Sequence, residues 1–477
     1  MSALKKIDPI SVPAVESNLA LFDILPTNVA YNRTFVRELL PIMTVTREGP
    51  YTFRLFSDSL FVDFSKTWFY LKSSMEKMDA NGRWVKLSND EDDDKYAGVI
   101  QNYTHSFIKQ LKLTINGTKV FNSGVLYPWR SYIATEYGKP YGFRKGILQA
   151  SGYYHDENLE SADQDGHIMR SKMFSGGKQN VSMAMLNFDL ANQNNLFVNN
   201  CDILFEIWPQ KDDFIIFKPD YPVETEINID RVPATGNTAE IPARKEKRII
   251  SRKNDTSYRI VVHEVKLYCT LVDVVQSLQN QIARTLESMP AKYLLRKVEL
   301  RHLYLPEGTS NISWNVFSSV VPRRLMVFLI NNTAFNGVPD KNPFMFEHGN
   351  IESIWIESNN LIVPDYPYRF NFDEDDGNWV RAFIDFYSGL DLIDPEREIF
   401  LGLQQYKKGW TGWVFPLASS HRDTGDSFEL IKNGTTVIKA TFSKPVPAPG
   451  YICLAVGEFD EVLTVNANRV LSVDGAI

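Results

Sequence analysis

Four Asn-Gly pairs divide this chain, and most of them stand between runs of residues that are typical of β-strands. The pairs are Asn81-Gly82, Asn116-Gly117, Asn336-Gly337 and Asn433-Gly434. A type I′ turn needs positive φ at both central residues, and Asn followed by Gly accepts this with little strain. The pattern predicts tight antiparallel hairpins in both halves of the chain. It also predicts that replacing Gly337 with valine would destabilise the fold through backbone strain.

Alternating polarity supports the same interpretation. Over residues 107–115, Leu111, Leu113 and Ile115 share one face, and polar side chains occupy the other. The further strands predicted in the second half include Tyr293 to Leu305, Arg324 to Ile330, Ile351 to Ile356, Trp379 to Tyr387, Thr435 to Phe442 and Tyr451 to Val456. Two helices are also predicted, a short one at 127–137 and an amphipathic one at 273–288.

The chain has 477 residues, which is more than one ordinary hydrophobic core can organise. Strand content and turn spacing predict two all-β sandwiches of about eight strands each. The predicted division is an irregular N-terminal arm (1–48), a first sandwich (49–275), a helical connector (276–290) and a second sandwich (291–477).

The net charge says less about the function than the strand pattern says about the fold. The net charge of −7 argues against a dedicated nucleic-acid-binding protein, which is usually strongly basic. A loop is predicted over residues 218–256, and a cluster of basic residues lies at its end. This cluster is either part of a solvated loop or an inward-facing patch that contacts packaged nucleic acid. Its members are Arg244, Lys245, Lys247, Arg248, Arg252 and Lys253. The acidic stretch 90–94 is predicted to be a solvated loop.

Motifs for catalysis or metal binding are incomplete. Residues 425–428 resemble the nucleophile block of GDSL-type esterases, but the last histidine, His421, precedes Ser427 instead of following it as a base. The acidic residues 373–376 lack the spacing of a calcium loop. No catalytic residue, metal or cofactor is predicted, and we expect the protein not to be an enzyme.

Cysteine content and hydropathy indicate the cellular compartment in which the chain folds. The three cysteines, Cys201, Cys269 and Cys453, are far apart and suggest neither a zinc site nor a disulfide framework. A reducing compartment is therefore expected. The N-terminus lacks the apolar core of a signal peptide, and no run of 18 apolar residues predicts a membrane span.

Five blocks of residues follow one another in a distinctive order from about residue 50 to the end. They are 107–121 with Tyr127-Pro128-Trp129-Arg130-Ser131-Tyr132-Ile133; Ala291-Lys292-Tyr293 with Arg296, Val298 and Glu299; Val321-Pro322-Arg323-Arg324 through Asn331-Asn332-Thr333-Ala334-Phe335-Asn336-Gly337 to Lys341-Asn342-Pro343-Phe344; Val380-Arg381-Ala382-Phe383; and Glu458-Phe459-Asp460 with Asn466, Asn468 and Arg469. In this order they resemble the double jelly-roll major capsid proteins of Polinton (Maverick) elements and the related adintoviruses. Trp129 stands where that family is expected to have tyrosine.

The resemblance implies a fold and a function. The fold is all-β: two tandem eight-stranded antiparallel jelly rolls with a few short helices. The function is that of a major capsid protein, whose homotrimers form pseudo-hexagonal capsomers of an icosahedral shell around double-stranded DNA. The motif residues expected to have structural roles are Tyr127, Pro128, Arg130, Tyr132, Asn336, Gly337, Asn342, Pro343 and Phe344.

The same resemblance implies partners and a location. The partners are neighbouring capsomers, vertex (penton) and minor capsid proteins, and packaged DNA held without sequence-specific contact. The location is the virion capsid, after synthesis in a reducing compartment of the host cell. Residues 1–48 are expected to tie neighbouring subunits together or to line the shell interior.

Two alternatives remain. A carbohydrate-binding or polysaccharide-processing β-sandwich is suggested by nine tryptophans and by the aromatic residues of 127–154, because sugars stack on exposed aromatic faces. A vertex protein of the same virion is the other, although such proteins are usually single jelly rolls.

Overall fold

The structure is a computed structural model. It describes residues 24–89, 92–229, 244–359, 361–372, 378–419 and 430–474, and a few residues near the N-terminus (8, 10–11, 17–19 and 21–22).

Thirteen strands lie in the described part of the first half. They are β1 (Tyr31–Leu39), β2 (Tyr51–Phe56), β3 (Phe61–Met78), β4 (Trp84–Lys86), β5 (Gly98–Val99), β6 (Ile108–Ile115), β7 (Thr118–Asn122), β8 (Asn180–Met185), β9 (Asp202–Pro209), β10 (Ile216–Phe217), β11 (Tyr221–Ile229), β12 (Arg244–Arg252) and β13 (Tyr258–Val274). The helices there are α1 (Asp92–Tyr96), α2 (Tyr103–Ser106), α3 (Tyr127–Glu136), α4 (Tyr141–Lys145), α5 (Asp165–Lys172) and α6 (Asp212–Ile215).

Helix α7 (Gln276–Ser288) follows β13 and confirms the helix predicted at 273–288. The described strands that follow are β14 (Ala291–Leu305), β15 (Asn311–Phe317), β16 (Arg324–Asn331), β17 (Ile351–Ser358), β18 (Leu361–Val363), β19 (Trp413–Pro416), β20 (Thr436–Phe442), β21 (Tyr451–Val465) and β22 (Leu471–Asp474). The helices are α8 (Asn332–Asn336), α9 (Val380–Gly389) and α10 (Leu403–Lys407). Short 3-10 helices cover Ser17–Leu19, Ile147–Ser151, Ser175–Gly177, Asp189–Asn192 and Pro395–Arg397.

Each half is a sandwich of two antiparallel sheets. In the first half one sheet has the order β1-β13-β3, with β8 and β4 both paired to β3, and the other has the order β2-β9-β6-β7. In the second half the orders are β14-β21-β16-β19, with β22 added beside β21, and β15-β20-β17-β18. The first and last long strands of each half are therefore neighbours, and both halves repeat one jelly-roll strand order.

Alternation in the sequence explains why these sheets pack. Along β9 and β20, every second side chain is buried. One core joins residues of both sheets of the first sandwich, such as Phe53, Leu71 and Leu267. A second core does the same in the second sandwich, with Phe328 and Ile438 among its members. The predicted fold class is confirmed, whereas the exact domain bounds stay a prediction.

Both residues have positive φ at one of the four Asn-Gly pairs, although Asn81-Gly82 also lies in a hairpin turn, the one that joins β3 to β4. Asn116 has φ +49° and Gly117 has φ +80°, and they join β6 to β7 as a two-residue hairpin. At the other three pairs only the glycine has positive φ. Asn336-Gly337 is not a hairpin turn, because Asn336 ends α8 and Gly337 is the residue that follows the helix.

Several local predictions were wrong. Residues 31–39 are not part of an irregular arm: they form β1, which pairs with β13 along its length. The loop predicted over 218–256 contains instead the two-stranded ribbon of β11 and β12. The strand predicted at 379–387 is the helix α9. In the acidic stretch, Asp94 is buried and its carboxylate lies 2.7 Å from the Lys77 amine.

Candidate functional site at the junction of the two halves

Helix α3 is the element through which the first half enters the second. It follows β7, and Pro128 lies in its first turn, where a missing N–H costs no helical hydrogen bond. Tyr127, at its start, belongs to the first core. Its hydroxyl lies 3.1 Å from His105 Nδ1 and accepts a hydrogen bond of 3.1 Å from the Asn187 backbone N–H. The residues from Trp129 onward contribute to the second core.

Aromatic contacts attach α3 to the second half. The Tyr132 ring stacks on Phe344, with ring centroids 4.2 Å apart and planes 7° apart. Trp129 stacks on Phe335 at 4.4 Å, and its Nε1–H donates a 3.0 Å hydrogen bond to the Pro343 carbonyl. Stacked pairs of this kind contribute about 0.5–1.5 kcal/mol beyond the area that they bury. Motif residues about 200 positions apart in sequence therefore form one contact surface.

Arg130 connects both halves through charge. One amino group, Nη2, lies 2.5 Å from the Asp189 carboxylate of the first half, and the other, Nη1, donates a 2.6 Å hydrogen bond to the Val298 carbonyl of β14. Its guanidinium also lies 4.9 Å from the centre of the Phe121 ring. Arg130 is only 4% exposed, so solvent screens these contacts little.

The segment after α8 packs against the first half with little space between backbones. A Cβ atom added to Gly337 would lie 2.9 Å from Phe214 Cβ and 3.0 Å from its Cα. The Lys218 backbone N–H donates a 2.6 Å hydrogen bond to the Pro339 carbonyl. Asn342 is buried and donates to the Leu159 carbonyl at 3.2 Å. The exposed Asn336 side chain bonds only locally, to the Asn332 carbonyl at 2.8 Å.

The C-terminal motif block makes a second contact between the halves. The Arg469 guanidinium donates two hydrogen bonds of 2.7 Å to Asn199, one to its backbone carbonyl and one to its side-chain oxygen. The Asn116 side chain in the β6–β7 turn donates a 2.8 Å hydrogen bond to the Arg469 carbonyl. Arg469 therefore joins the C-terminal end of the second half to Asn116 and Asn199 of the first.

Buried ion pairs fix the long excursion between β7 and β8. Arg144 lies 2.6 Å from the Glu136 carboxylate at the end of α3, and both side chains are almost fully buried. Arg170, with no exposed surface, lies 2.6 Å from Asp156 and donates a 2.8 Å hydrogen bond to the Val99 carbonyl. These ion pairs could not be predicted from the sequence, because their residues lie in a region without regular periodicity.

The aromatic residues that suggested sugar binding are mostly not available to a sugar. Tyr127, Trp129, Tyr132, Tyr137 and Tyr153 are all buried. All nine tryptophans are buried or partly buried. Most of the aromatic residues that suggested the carbohydrate alternative are therefore not exposed.

The basic cluster lies on the exposed ribbon instead of in a loop. Lys245 and Lys247 of β12 pair with Glu226 and Glu224 of β11, each at 3.1 Å. Arg248 and Arg252 are exposed on the same strand, and Lys253 follows it. Part of the positive charge is therefore neutralised within the ribbon.

Metal and catalytic candidates gain no support from the described residues. Within them there is no group of three or more His, Cys, Asp or Glu side chains arranged to hold a metal ion. The esterase-like block at 425–428, His421 and the acidic residues 373–376 lie outside the described residues. All three cysteines are buried and unpaired. In the part of the chain that the structure covers, helices long and apolar enough for a membrane crossing are absent.

The close approach at Gly337 gives a testable prediction. We expect Gly337→Ala to lower the free energy of unfolding by about 2–4 kcal/mol, combining the strain of a positive φ with overpacking against Phe214. Gly117→Ala is a matched control, because Gly117 has φ +80° beside the φ +83° of Gly337 but no atom within 4 Å of an added Cβ. It should cost only about 1–2 kcal/mol, the strain alone. Equal losses in urea denaturation of the two variants would contradict the packing argument.

Comparison with known protein sequences finds one relative, with low sequence identity. An uncharacterized protein of Caenorhabditis elegans is 24% identical over 439 residues, which cover 90% of this chain and 94% of that protein. No model of a known protein family matches the chain.

Solved structures of viral proteins match nearly the whole chain. A chain in the 3.5 Å cryo-EM structure of the Sputnik virophage has a TM-score of 0.60 at 11% identity, over 99% of this chain and 95% of that one. The Faustovirus major capsid protein has a TM-score of 0.56 at 8% identity, over 95% and 93%. VP54 of PBCV-1, fitted into a Sputnik reconstruction, has 0.52 at 10%, over 96% and 100%. The likeness establishes the fold: the chain folds as a double jelly roll similar to those of viral major capsid proteins.

Proposed function

We propose that the chain is a major capsid protein of the Polinton (Maverick) and adintovirus type. Its homotrimers form pseudo-hexagonal capsomers, which assemble an icosahedral shell around a double-stranded DNA genome. One observation carries the proposal: both halves of the chain have the same jelly-roll strand order. The resulting double jelly roll matches the Faustovirus major capsid protein over nearly the whole length of both chains.

The geometry suits a shell subunit. Three copies of a chain with two similar sandwiches place six similar bodies around a threefold axis, which gives a nearly hexagonal outline. A threefold ring uses heterologous contacts that close on themselves, so that growth stops at the trimer. The contacts of α3, Gly337 and Arg469 join the two sandwiches, so that the chain can act as one building block.

The proposed role implies partners but no catalysis. Neighbouring capsomers, vertex (penton) proteins and minor capsid proteins would contact the trimer, and the chain would reside in the virion capsid. Synthesis in a reducing compartment of the host cell agrees with three cysteines that are buried and unpaired.

The basic ribbon is the proposed contact with packaged DNA. Lysine and arginine side chains on β12 would meet phosphates without reading bases. The ion pairs of Lys245 and Lys247 with glutamates moderate this attraction. A weak contact agrees with the net charge of −7, since a shell wall beside DNA does not need to grip it.

Imaging of the purified chain tests the proposal. Mass photometry should give a species of three times the 54.6 kDa of one chain. Negative-stain electron microscopy of that species should show pseudo-hexagonal projections. A monodisperse monomer at every protein concentration and ionic strength would refute the proposal.

A further inference from the structure

A short segment ahead of β1 exposes an unusual number of apolar side chains. The exposed fractions are 66% at Leu19, 77% at Leu21, 95% at Phe22, 93% at Ile24 and 87% at Leu25. Burying one such side chain fully is worth about 1.5–3 kcal/mol. The residues that the structure describes leave this surface uncovered, so a partner that covers it would gain several kcal/mol.

A cleft of about 410 Å³ lies between α3 and the segment that follows α9. Ile133 of α3 and Tyr137, the residue that follows the helix, form one apolar wall, and Leu390 and Leu392 form the other. A cleft of this volume is large enough to hold several side chains of an extended peptide.

Three arginines line the cleft, and each pairs with an acid. Arg324 pairs with Glu458 at 2.6 Å, Arg397 with Asp391 at 3.3 Å, and the buried Arg130 with Asp189. The Arg397 side chain is 55% exposed, whereas those of Arg130 and Arg324 are mostly buried. Arg397 is therefore the residue of the cleft that can meet a carboxylate of a ligand whose other side chains are apolar.

The N-terminal segment has this composition. Its apolar residues are interspersed with Glu16 and Asp23, and residues 7–32 contain no lysine or arginine. The 14 residues from 17 to 30 can span at most about 46 Å when extended. That reach exceeds the radius of gyration of about 23 Å expected for a compact chain of this length. The segment can therefore extend to a neighbouring molecule.

We propose that residues 17–29 of one copy dock in the cleft between the jelly rolls of a second copy. Phe22 and its apolar neighbours lie on the walls formed by α3 and residues 390–392, and Asp23 faces Arg397. The inference rests on the proposed self-assembly and identifies one of its contacts.

Photocrosslinking in the full-length chain tests the contact. Benzoylphenylalanine replaces Phe22 in a chain that is mixed in equal amounts with an ¹⁵N-labelled copy before assembly. After irradiation, mass spectrometry should find crosslinks from position 22 to residues 133–140 or 390–397 of the other isotope. The same probe in place of Tyr366, which is 79% exposed and does not line the cleft, is the control and should give no crosslink to it.

A charge reversal sharpens the test. Arg397→Glu should lower the intermolecular crosslink yield about fivefold, and adding Asp23→Arg to the same chain should restore it. Crosslinks within one copy, crosslinks to other surfaces, or a yield unaffected by Arg397→Glu would each overturn the inference. If mass photometry still shows trimers in that case, the docking site alone is wrong; if it shows only monomers, the proposed function fails with it.

Discussion

Replacing Arg130 with methionine is expected to lower the free energy of unfolding by about 3–5 kcal/mol. Methionine preserves most of the apolar stem but removes the charge, leaving the Asp189 carboxylate buried without its cation. The Val298 carbonyl of β14 loses its donor in the same substitution. Both losses fall where the first jelly roll meets the second, so the contact between the halves should weaken before either core. Urea denaturation followed by tryptophan fluorescence measures the loss, since Trp129 lies beside Arg130 on α3.

An exposed pair of the same residue types provides the control. Arg54 and Asp202 make two hydrogen bonds of 2.8 Å, but the arginine side chain is 63% exposed. Arg54→Met should therefore cost less than about 1 kcal/mol. Combining Arg130→Met with Asp189→Leu should recover part of the loss, because no unpaired charge then remains. Equal effects of Arg130→Met and Arg54→Met would show that burial does not strengthen the junction pair.

The sandwiches could be predicted from the sequence because their signal is local. Alternation along residues 107–115 and in most of the predicted strands reflects one buried and one outward face, and every strand of this kind carries that information itself. The turn at Asn116-Gly117 follows from the same local chemistry. Which strands pair depends on contacts far apart in sequence, and that order came only from the family resemblance.

Helix α9 shows how tertiary packing overrides local propensity. Its β-branched and aromatic residues favour a strand. Packing favours the helix, because Ala382 and Phe386, four positions apart, are both buried, whereas Val380 and Ile384 are 44% and 53% exposed. A spacing of four residues was the signal that could have identified it.

The junction could be predicted only in part. The resemblance selected Tyr132 and Phe344, but nothing in the sequence indicates that their rings stack, because about 200 residues separate them.

The acidic stretch 90–94 shows a case in which a clear local pattern gave the wrong prediction. A run of acids predicts a solvated loop, yet Asp94 is buried by its ion pair with Lys77, a partner that composition alone does not reveal.

Acid is expected to destabilise the first half strongly. Burial lowers the pKa of His105 to about 3 and that of His167 to about 4, from an ordinary value of 6.5. Burial also lowers the pKa of His155. Between these folded values and 6.5 the unfolded chain binds protons that the folded chain does not, so stability falls as the pH falls through this window. At pH 5 the loss is about 2 kcal/mol for His105 and about 2 kcal/mol for His167, relative to pH 8.

The slope of stability against pH distinguishes this cause from general acid sensitivity. Each histidine that is protonated only in the unfolded chain adds about 1.4 kcal/mol per pH unit. Urea denaturation at several values between pH 4.5 and 6 should therefore give a slope steeper in the unmodified chain than in the His105→Gln/His167→Gln variant, by about 2.4 kcal/mol per pH unit, because protonation is incomplete at the ends of this range. The comparison holds even if the variant is less stable overall, because only slopes are compared. Parallel slopes would mean that both histidines are protonated without unfolding, which their burial beside Tyr127 and Arg170 argues against.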